Sequence, residues 1–402
     1  MRIAIVGGGI GGFALALSLH RLGLQCDVYE STPQIREIGV GITLLPHAMR
    51  ELALLGVQAE LESVGIENLE SVFFNRWGQF IYREQRGRHA GYALPEIGLH
   101  RGKLHGILYR AALERLGADR IHLGSRCAGV DHDGTKATLR LNGRTVEADV
   151  VVACDGVNSA LRREFYPNEK LAFGGINTWR GVTLHRPILT GKSYMRIGSI
   201  DTGKMVIYPI ADNVDGQGSQ LVNWVAEIRR PDVAMNDWNQ PGRPDDFISI
   251  FEDWKFDWLD VPNLIRTAQQ MFEYPMVDRD PVPRWTFGRV TLLGDAAHPM
   301  YPRGSNGSAQ ALIDARTLAE LLASREPLEA LAEYERVRLA PTARVVETNR
   351  TVPPDYIIMK VDELTGGKPF GKLEDVIGED ELRALSDEYK RVAGFSLDAL
   401  KR

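Results

Sequence analysis

The chain opens Met1-Arg2-Ile3-Ala4-Ile5-Val6-Gly7-Gly8-Gly9-Ile10-Gly11-Gly12, and this stretch decides the fold. Residues 2–6 read as a short apolar strand, and the run from Phe13 to Gly23 continues at helical period. Gly7, Gly9 and Gly12 between them fall on a G-x-G-x-x-G spacing. Each glycine has its own task. Gly7 permits a tight turn, Gly9 lets the backbone approach a pyrophosphate, and Gly12 lets the helix pack close to the strand. The helix N-terminus then faces the phosphate charge. Glu30 ends a second strand, Cys-Asp-Val-Tyr-Glu, where an acid accepts hydrogen bonds from an adenosine ribose. A glycine triplet alone is weak evidence. Strand, turn, helix, strand and acid in this order read as a dinucleotide-binding βαβ unit, since an ordinary βα turn has no need of the acid.

Length and composition set bounds around this unit. A chain of 402 residues has room for two or three domains and a large core. Hydrophobic residues make up 44% and charged residues 25%, as in an ordinary globular protein. A net charge of −5 gives no reason to expect nucleic acid or an anionic membrane as partner. No apolar run is long enough to span a bilayer. The chain enters a strand directly, so no signal peptide is expected. Three scattered cysteines, Cys26, Cys127 and Cys154, fit neither a disulfide scaffold nor a zinc site. No metal is expected, and the expected location is cytoplasmic.

Along the chain there is no internal repeat. A Gly39-Val40-Gly41 turn follows the first unit, then a helix near 46–56. Residues 71–86 read as a hairpin around Trp77-Gly78, and an amphipathic helix begins near Arg101. Ala148-Asp149-Val150-Val151-Val152-Ala153-Cys154 ends in a continuous apolar run, typical of a strand buried on both faces of a parallel sheet. From 174 to 230 the pattern changes to alternating strands, predicting an antiparallel sheet with one face toward a cavity. Residues 243–267 read as a return to helix, and residues 273–277 as another strand. Residues 289–295 read as a last parallel strand, followed by helices near 305–324 and 327–349. Pro353-Pro354 ends the second of these, and 355–402 reads as a small charged helical tail over the fold or an oligomer interface.

Two further motifs carry chemistry. Asp155-Gly156-Val157-Asn158-Ser159-Ala160-Leu161-Arg162 follows the buried strand as a D-G-x-x-S-x-x-R pattern. Ser159 is placed to cap a helix there, and the bland alternative is a capped turn with Arg162 on a solvated face. Leu293-Gly294-Asp295-Ala296-Ala297-His298 again ends an apolar strand, with Pro302 and then Gly304-Ser305-Asn306-Gly307 opening a helix. Asp295 is placed to accept from a ribityl hydroxyl. Backbone amides near Gly307, Ser308 and Ala309 sit at a helix N-terminus and would stabilise negative charge on a bound ring. His298 reads as satisfied by local backbone in preference to transferring a proton.

In order and spacing, the three motifs resemble the class A FAD-dependent aromatic monooxygenases, the para-hydroxybenzoate hydroxylase superfamily, over residues 7 to about 350. Trp179-Arg180-Gly181-Val182-Thr183, Tyr208-Pro209-Ile210, Asn223-Trp224-Val225 and the run Tyr274–Pro281 look most like the phenazine-hydroxylating branch. The resemblance implies an α/β fold: a Rossmann-like FAD-binding domain (1–70, 100–173 and 282–350) interleaved with an antiparallel-sheet substrate domain (71–99 and 174–281), plus a helical C-terminal extension (351–402). It implies FAD held through Gly7, Gly9, Gly12, Glu30, Gly41, Arg101, Asp155 and Asp295. Gly307, Ser308 and Ala309 would lie near the flavin pyrimidine edge, and Pro302 near its reactive side. It also implies NADPH or NADH as transient reductant, without a Rossmann domain of its own, and a flavin C4a-hydroperoxide that hydroxylates an electron-rich ring. The cofactor supplies that chemistry, and the protein supplies orientation and water exclusion.

The remaining residues admit two readings each. Trp179, Tyr208 and Trp224 either line an aromatic pocket or pack the sheet core. Arg303, beside Pro302, either pairs with a substrate carboxylate or is a solvated loop residue, and Arg180, beside Trp179 in the sheet expected to roof the pocket, is a second candidate for that carboxylate. His47 either acts as a base on a phenolic substrate or belongs to a helix start. The expected activity is hydroxylation of a small aromatic or N-heteroaromatic compound, carboxylated or phenazine-like, with O2 and NAD(P)H; a homodimer is left open. Another flavin-dependent oxidoreductase on the same fold, or a non-catalytic flavoprotein that sequesters a ligand, are the alternatives. A tryptophan-halogenase W-x-W-x-I-P motif is not matched by the nearest text, Trp254-Lys255-Phe256-Asp257-Trp258.

Overall fold

The computed structural model describes residues 1–231 and 240–400. The opening strand Ile3–Val6 is wholly buried and sits at the centre of a sheet. It pairs in parallel with Cys26–Tyr29 on one side and Val150–Ala153 on the other. The latter pairs in parallel with Val290–Leu292. Three continuous apolar runs, distant in sequence, thus lie side by side, because a strand covered on both faces by helices has no polar face to show. The helix Ile10–Arg21 packs against Gly307–Ser324 and Arg101–Leu116.

Among the described residues a second, eight-stranded sheet holds, in order, Gln240–Pro241, Gln270–Asp278, Ala172–His185, Gln220–Arg229, Lys204–Ala211, Ser193–Ile197, Glu70–Phe74 and Phe80–Gln85. The hairpin around Trp77-Gly78 forms as expected, with Gly78 at φ +75°. The two faces of this sheet have different neighbours. On one, Trp179 and Trp224 pack with Phe247, Phe251 and Trp254. On the other, Tyr194, Val206 and Tyr208 face the first sheet's loops.

The layer over the tryptophan face differs from expectation. Residues 243–267 do not return to one helix. They form turns at Pro244–Asp246 and Ile248–Ile250, a small hairpin of Lys255–Phe256 with Leu259–Asp260, and a short helix Val261–Arg266. The helical spacing of Phe247, Phe251 and Trp254 invites the helix reading. The aromatic run 254–258 favours extended backbone instead. Asp260 accepts from the Asn263 amide, and with Pro262 in the first turn it restarts a helix.

The tail covers the fold. Helices Tyr356–Thr365 and Glu379–Val392 bury Ile357, Ile358, Val361 and Leu382 against Phe73, Ile81 and Tyr82. No helix of the described residues is long and apolar enough to cross a membrane. The three cysteines are free thiols.

Candidate functional site

A cavity of about 380 Å³ runs from the glycine loop to the second sheet, lined at one end by Gly9, Ile10 and Gly11 and at the other by Tyr194, Val206, Tyr208 and Val225. Arg101, Asp295, Pro302, Asn306, Gly307 and Ser308 line it between those ends. A second groove of about 420 Å³ shares Gly41, Arg101, Arg180, Asp295, Met300 and Pro302 with the first.

The glycine loop divides its labour as the spacing predicts. Gly7 has φ +104°, and a Cβ there would sit 2.4 Å from the Cys154 carbonyl oxygen. A Cβ on Gly12 would sit 2.0 Å from the Gly7 carbonyl oxygen. Both glycines are needed for backbone contact inside the protein. A Cβ on Gly9 would meet nothing within 4 Å, because its open side faces the cavity. This is a cradle shaped for a guest, as a dinucleotide pyrophosphate requires.

Glu30 does more than wait for a ribose. Its carboxylate accepts from the Gly8 amide at 2.7 Å and the Thr32 amide at 2.7 Å, bracing the loop. Burial works against its ionisation, but the amides of Thr32 and Gly8 outweigh it and hold the carboxyl below the ordinary range. The Gly41 amide donates to Asn223 Oδ1 at 2.7 Å, which ties this turn to the eight-stranded sheet.

The second and third motifs are stapled together. Arg162 is buried, not solvated. Its guanidinium pairs with Glu169 at 2.6 Å and donates to the carbonyls of Ala296 and Ala297. Asp155 does not line the cavity, although Cys154 and Gly156 do. Its Oδ2 accepts from the Ala160 amide at 2.8 Å, beside the Ser159 cap on Arg162. The structure therefore gives Asp155 a helix-capping place. Asp295 is exposed and lines the cavity. His298 Nε2 pairs with Asp314 Oδ2 at 2.5 Å, not with local backbone.

The helix Gly307–Ser324 starts on the cavity wall with no side-chain cap. Its first amides are left free for a ligand's negative charge. Gly307 and Ser308 line the cavity, while Ala309 is buried behind them.

Besides Asp155, four expected site residues lie elsewhere. Trp179 and Trp224 are core: Trp179 stacks on Phe247 at 4.6 Å, and Trp224 Nε1 donates to Thr183 Oγ1 at 3.0 Å. Strand alternation turns them from the cavity, while Tyr208, stacked on Tyr194 at 4.9 Å, faces it. Arg303 is buried off the cavity wall, where its charge acts on Asp355 of the tail. The left-handed Gly304 turns the loop immediately after it. His47 is fully buried off the wall, with Nε2 3.0 Å from Asn306 Oδ1 and its ring stacked on Phe395. A base there cannot meet a substrate. Its place is structural.

Sequence reasoning missed wall residues such as Glu227, whereas it offered Arg180, beside Arg303, as a partner for a substrate carboxylate. Glu227 lines the cavity and pairs with Lys204 at 2.9 Å, which also meets Asp355 at 3.0 Å. Arg180 lines both cavities, and its guanidinium makes no hydrogen bond among the described residues. The parity of these strands, combined with their pairing register, was the signal that would have found the missed ones.

His47 carries a stability prediction. Burial, offset by the Asn306 bond and aided by Arg50 and Arg338, drives its imidazole from 6.5 to about 4. The unfolded chain therefore binds the proton more readily. The contribution is complete above about pH 6.5 and is lost as pH falls toward 4. It amounts to about 3 kcal/mol. Melting temperatures of wild type and His47→Gln, followed from pH 7 downward, should converge on acidification; parallel curves would refute it.

The comparisons with known proteins agree with this geometry. The FAD binding domain family matches residues 1–230 and 258–349. Phenazine 1,6-dicarboxylic acid hydroxylase of Lysobacter antibioticus is 40% identical over 365 residues, covering 87% of this chain and 89% of that protein. A 3-amino-4-hydroxybenzoate 2-monooxygenase of Streptomyces platensis is 35% identical over 358 residues, covering 87% of this chain and 86% of that one. The solved structure of 2,6-dihydroxypyridine-3-hydroxylase from Arthrobacter nicotinovorans superposes with a TM-score of 0.72 at 25% identity, covering 86% of this chain and 90% of that one.

Proposed function

The chain belongs to the class A FAD-dependent aromatic hydroxylases, and on that premise we propose that it hydroxylates a planar, carboxylated aromatic or N-heteroaromatic acid with O2 and a nicotinamide reductant. One observation carries the reading. A single cavity joins the glycine-loop cradle to a wall of stacked tyrosines, with uncapped helix amides and Pro302 between them. The residues fit FAD. Glu30 would accept from the adenosine ribose, Arg101 and the loop amides would meet the pyrophosphate, and Asp295 would accept from the ribityl chain. Bound FAD supplies the redox and oxygen chemistry. The chain binds, orients and excludes water: Tyr194 and Tyr208 offer a flat face for a ring, and Val206 and Val225 dry it. In this reading 1–70, 100–173 and 282–350 serve the cofactor, and 71–99 with 174–281 the substrate; residues 232–239 of the latter lie outside the described ones.

Arg180, which makes no hydrogen bond among the described residues and lies 5.7 Å from the Tyr274 ring, is the cation on this wall best placed for a carboxylate, in preference to the buried Arg303. The named substrates of both relatives are carboxylated rings. The test is a panel of phenazine, quinoline, pyridine and hydroxybenzoate acids with their amides. Product hydroxylation and substrate-stimulated NAD(P)H oxidation are both read. Arg180→Met should raise KM for an acid by roughly 10–150-fold, as expected for a lost charged hydrogen bond, and leave the amide unchanged. A protein that only sequesters its ligand would show no stimulated oxidation with any compound.

A further inference from the structure

Beyond Thr351 the chain continues outside the segments that the FAD binding domain family matches. We infer that this extension is a working part of the flavin site, with Tyr389 as a positioning residue that holds Asn306 off the end of the helix Gly307–Ser324. The inference rests on the reading that FAD occupies the cavity.

Asn306 stands at the helix start and lines the cavity. An asparagine there ordinarily turns its side chain onto the second or third amide, with extended backbone. Here its backbone is helical, φ −97° and ψ −25°, and its side chain caps nothing. Both ends of the amide are claimed elsewhere. Oδ1 meets His47 Nε2 at 3.0 Å, and Nδ2 donates to the Tyr389 hydroxyl at 2.9 Å. That hydroxyl in turn donates to Asn349 Oδ1 at 2.9 Å. All four residues are buried.

The extension encloses this node from two sides. Gly304 has φ +73°, and a Cβ on it would lie 1.8 Å from the Tyr389 hydroxyl, so the ring fills the space the turn leaves. Phe395 stacks on His47 at 5.1 Å, and Gln310 Nε2 reaches the Ala393 carbonyl at 3.4 Å. Further along, Asp355 meets Lys204 of the cavity sheet, and Lys390 meets Glu84 at 2.7 Å. The consequence is chemical. With the Asn306 carbonyl kept away, the amides of 308 and 309 stay free for the cofactor's negative charge. Released, Asn306 would compete for them as an ordinary cap.

The decisive variant is Tyr389→Phe, which keeps the ring and removes the hydroxyl. In the FAD-loaded protein, reduced flavin should be held about tenfold less favourably relative to oxidised flavin, a potential about 30 mV more negative for a two-electron couple. FAD content should be unchanged. In the FAD-free protein, hydrogen exchange at the amides of 308 and 309 should slow, because Asn306 now protects them. Gln79→Ala is the control. It loosens the distant anchor, where Gln79 bonds the backbone of Phe370, without touching the loop, and should change neither readout. Wild-type potential and wild-type exchange in Tyr389→Phe would overturn the inference, and so would an equal shift in Gln79→Ala. Should Tyr389→Phe not fold, Phe395→Leu is judged by the same two readouts. If the wild type takes up no FAD, the reading of the cavity fails, while the exchange experiment still decides the role of Tyr389.

Discussion

Gly12→Val is expected to yield a protein without bound flavin. A Cβ at this position already lies 2.0 Å from the Gly7 carbonyl oxygen, and 3.4 Å from Cys154 Cβ. The obstacle is backbone, which has no rotamer to offer. Helix Ile10–Arg21 would have to move away from strand Ile3–Val6, opening the turn that shapes the cradle. Overpacking of this kind costs roughly 1–3 kcal/mol or more in stability, and the displaced amides lose the pyrophosphate as well. FAD affinity should fall by at least about a hundredfold, or roughly 2.8 kcal/mol. Gly9→Ala gives the contrast. Its Cβ meets no protein atom, so the melting temperature of the FAD-free protein should hold while FAD binding weakens. Flavin absorbance of the purified variants, with fluorescence of FAD released by heat, settles both. A yellow Gly12→Val protein with full FAD content would show that the loop does not work by close packing.

The glycine loop was readable because its information is one-dimensional. A turn, a close approach and a capping acid leave marks at fixed spacings, and so do buried parallel strands. The face on which an aromatic residue lies has no such mark. Tyr208 pairs across the sheet with Asn223, whereas Trp224 pairs with Ile207, so the two rings point to opposite sides. Nothing in either strand alone reveals that register. Arg303 misleads for a related reason. Adjacency to Pro302 places its Cα near the cavity, but its side chain is buried and does not line the wall. The link from Asn306 to Tyr389 spans 83 residues and exists only in the packed molecule. Arg162 shows the same limit: its motif was visible, while its partners, the carbonyls of Ala296 and Ala297, belong to the other motif.

Asp314 is the buried acid that the sequence hid inside an apolar helix, and its removal should cost the most stability. It is fully buried and accepts from Arg338 Nε at 2.6 Å, from His298 Nε2 at 2.5 Å and from the Gly294 amide at 3.2 Å. Through these bonds one carboxylate fixes the turn that presents Asp295 to the cavity. Burial opposes its ionisation, but the charges of His298 and Arg338 prevail and hold it at about 2, below the ordinary 3.8. Asp314→Ala takes the carboxylate from the buried Arg338 guanidinium and leaves it on the neutral Gln310 side chain, a loss of about 3–5 kcal/mol. For a chain of 402 residues that lowers the melting temperature by roughly 4–6 °C. The pH dependence has a definite sign. A depressed carboxyl contributes stability that is complete above the unfolded value of 3.8 and is lost as pH falls through about 2. The gap between wild type and variant should therefore be widest near neutrality and narrow only in strong acid. Calorimetry of the FAD-free proteins separates this from any effect on cofactor binding. A variant within about 1 kcal/mol of wild type at pH 7 would mean that the bond from Arg338 to Gln310 Oε1, 2.7 Å long, suffices for the guanidinium, and that the Asp295 turn is held by the Arg162 staple alone.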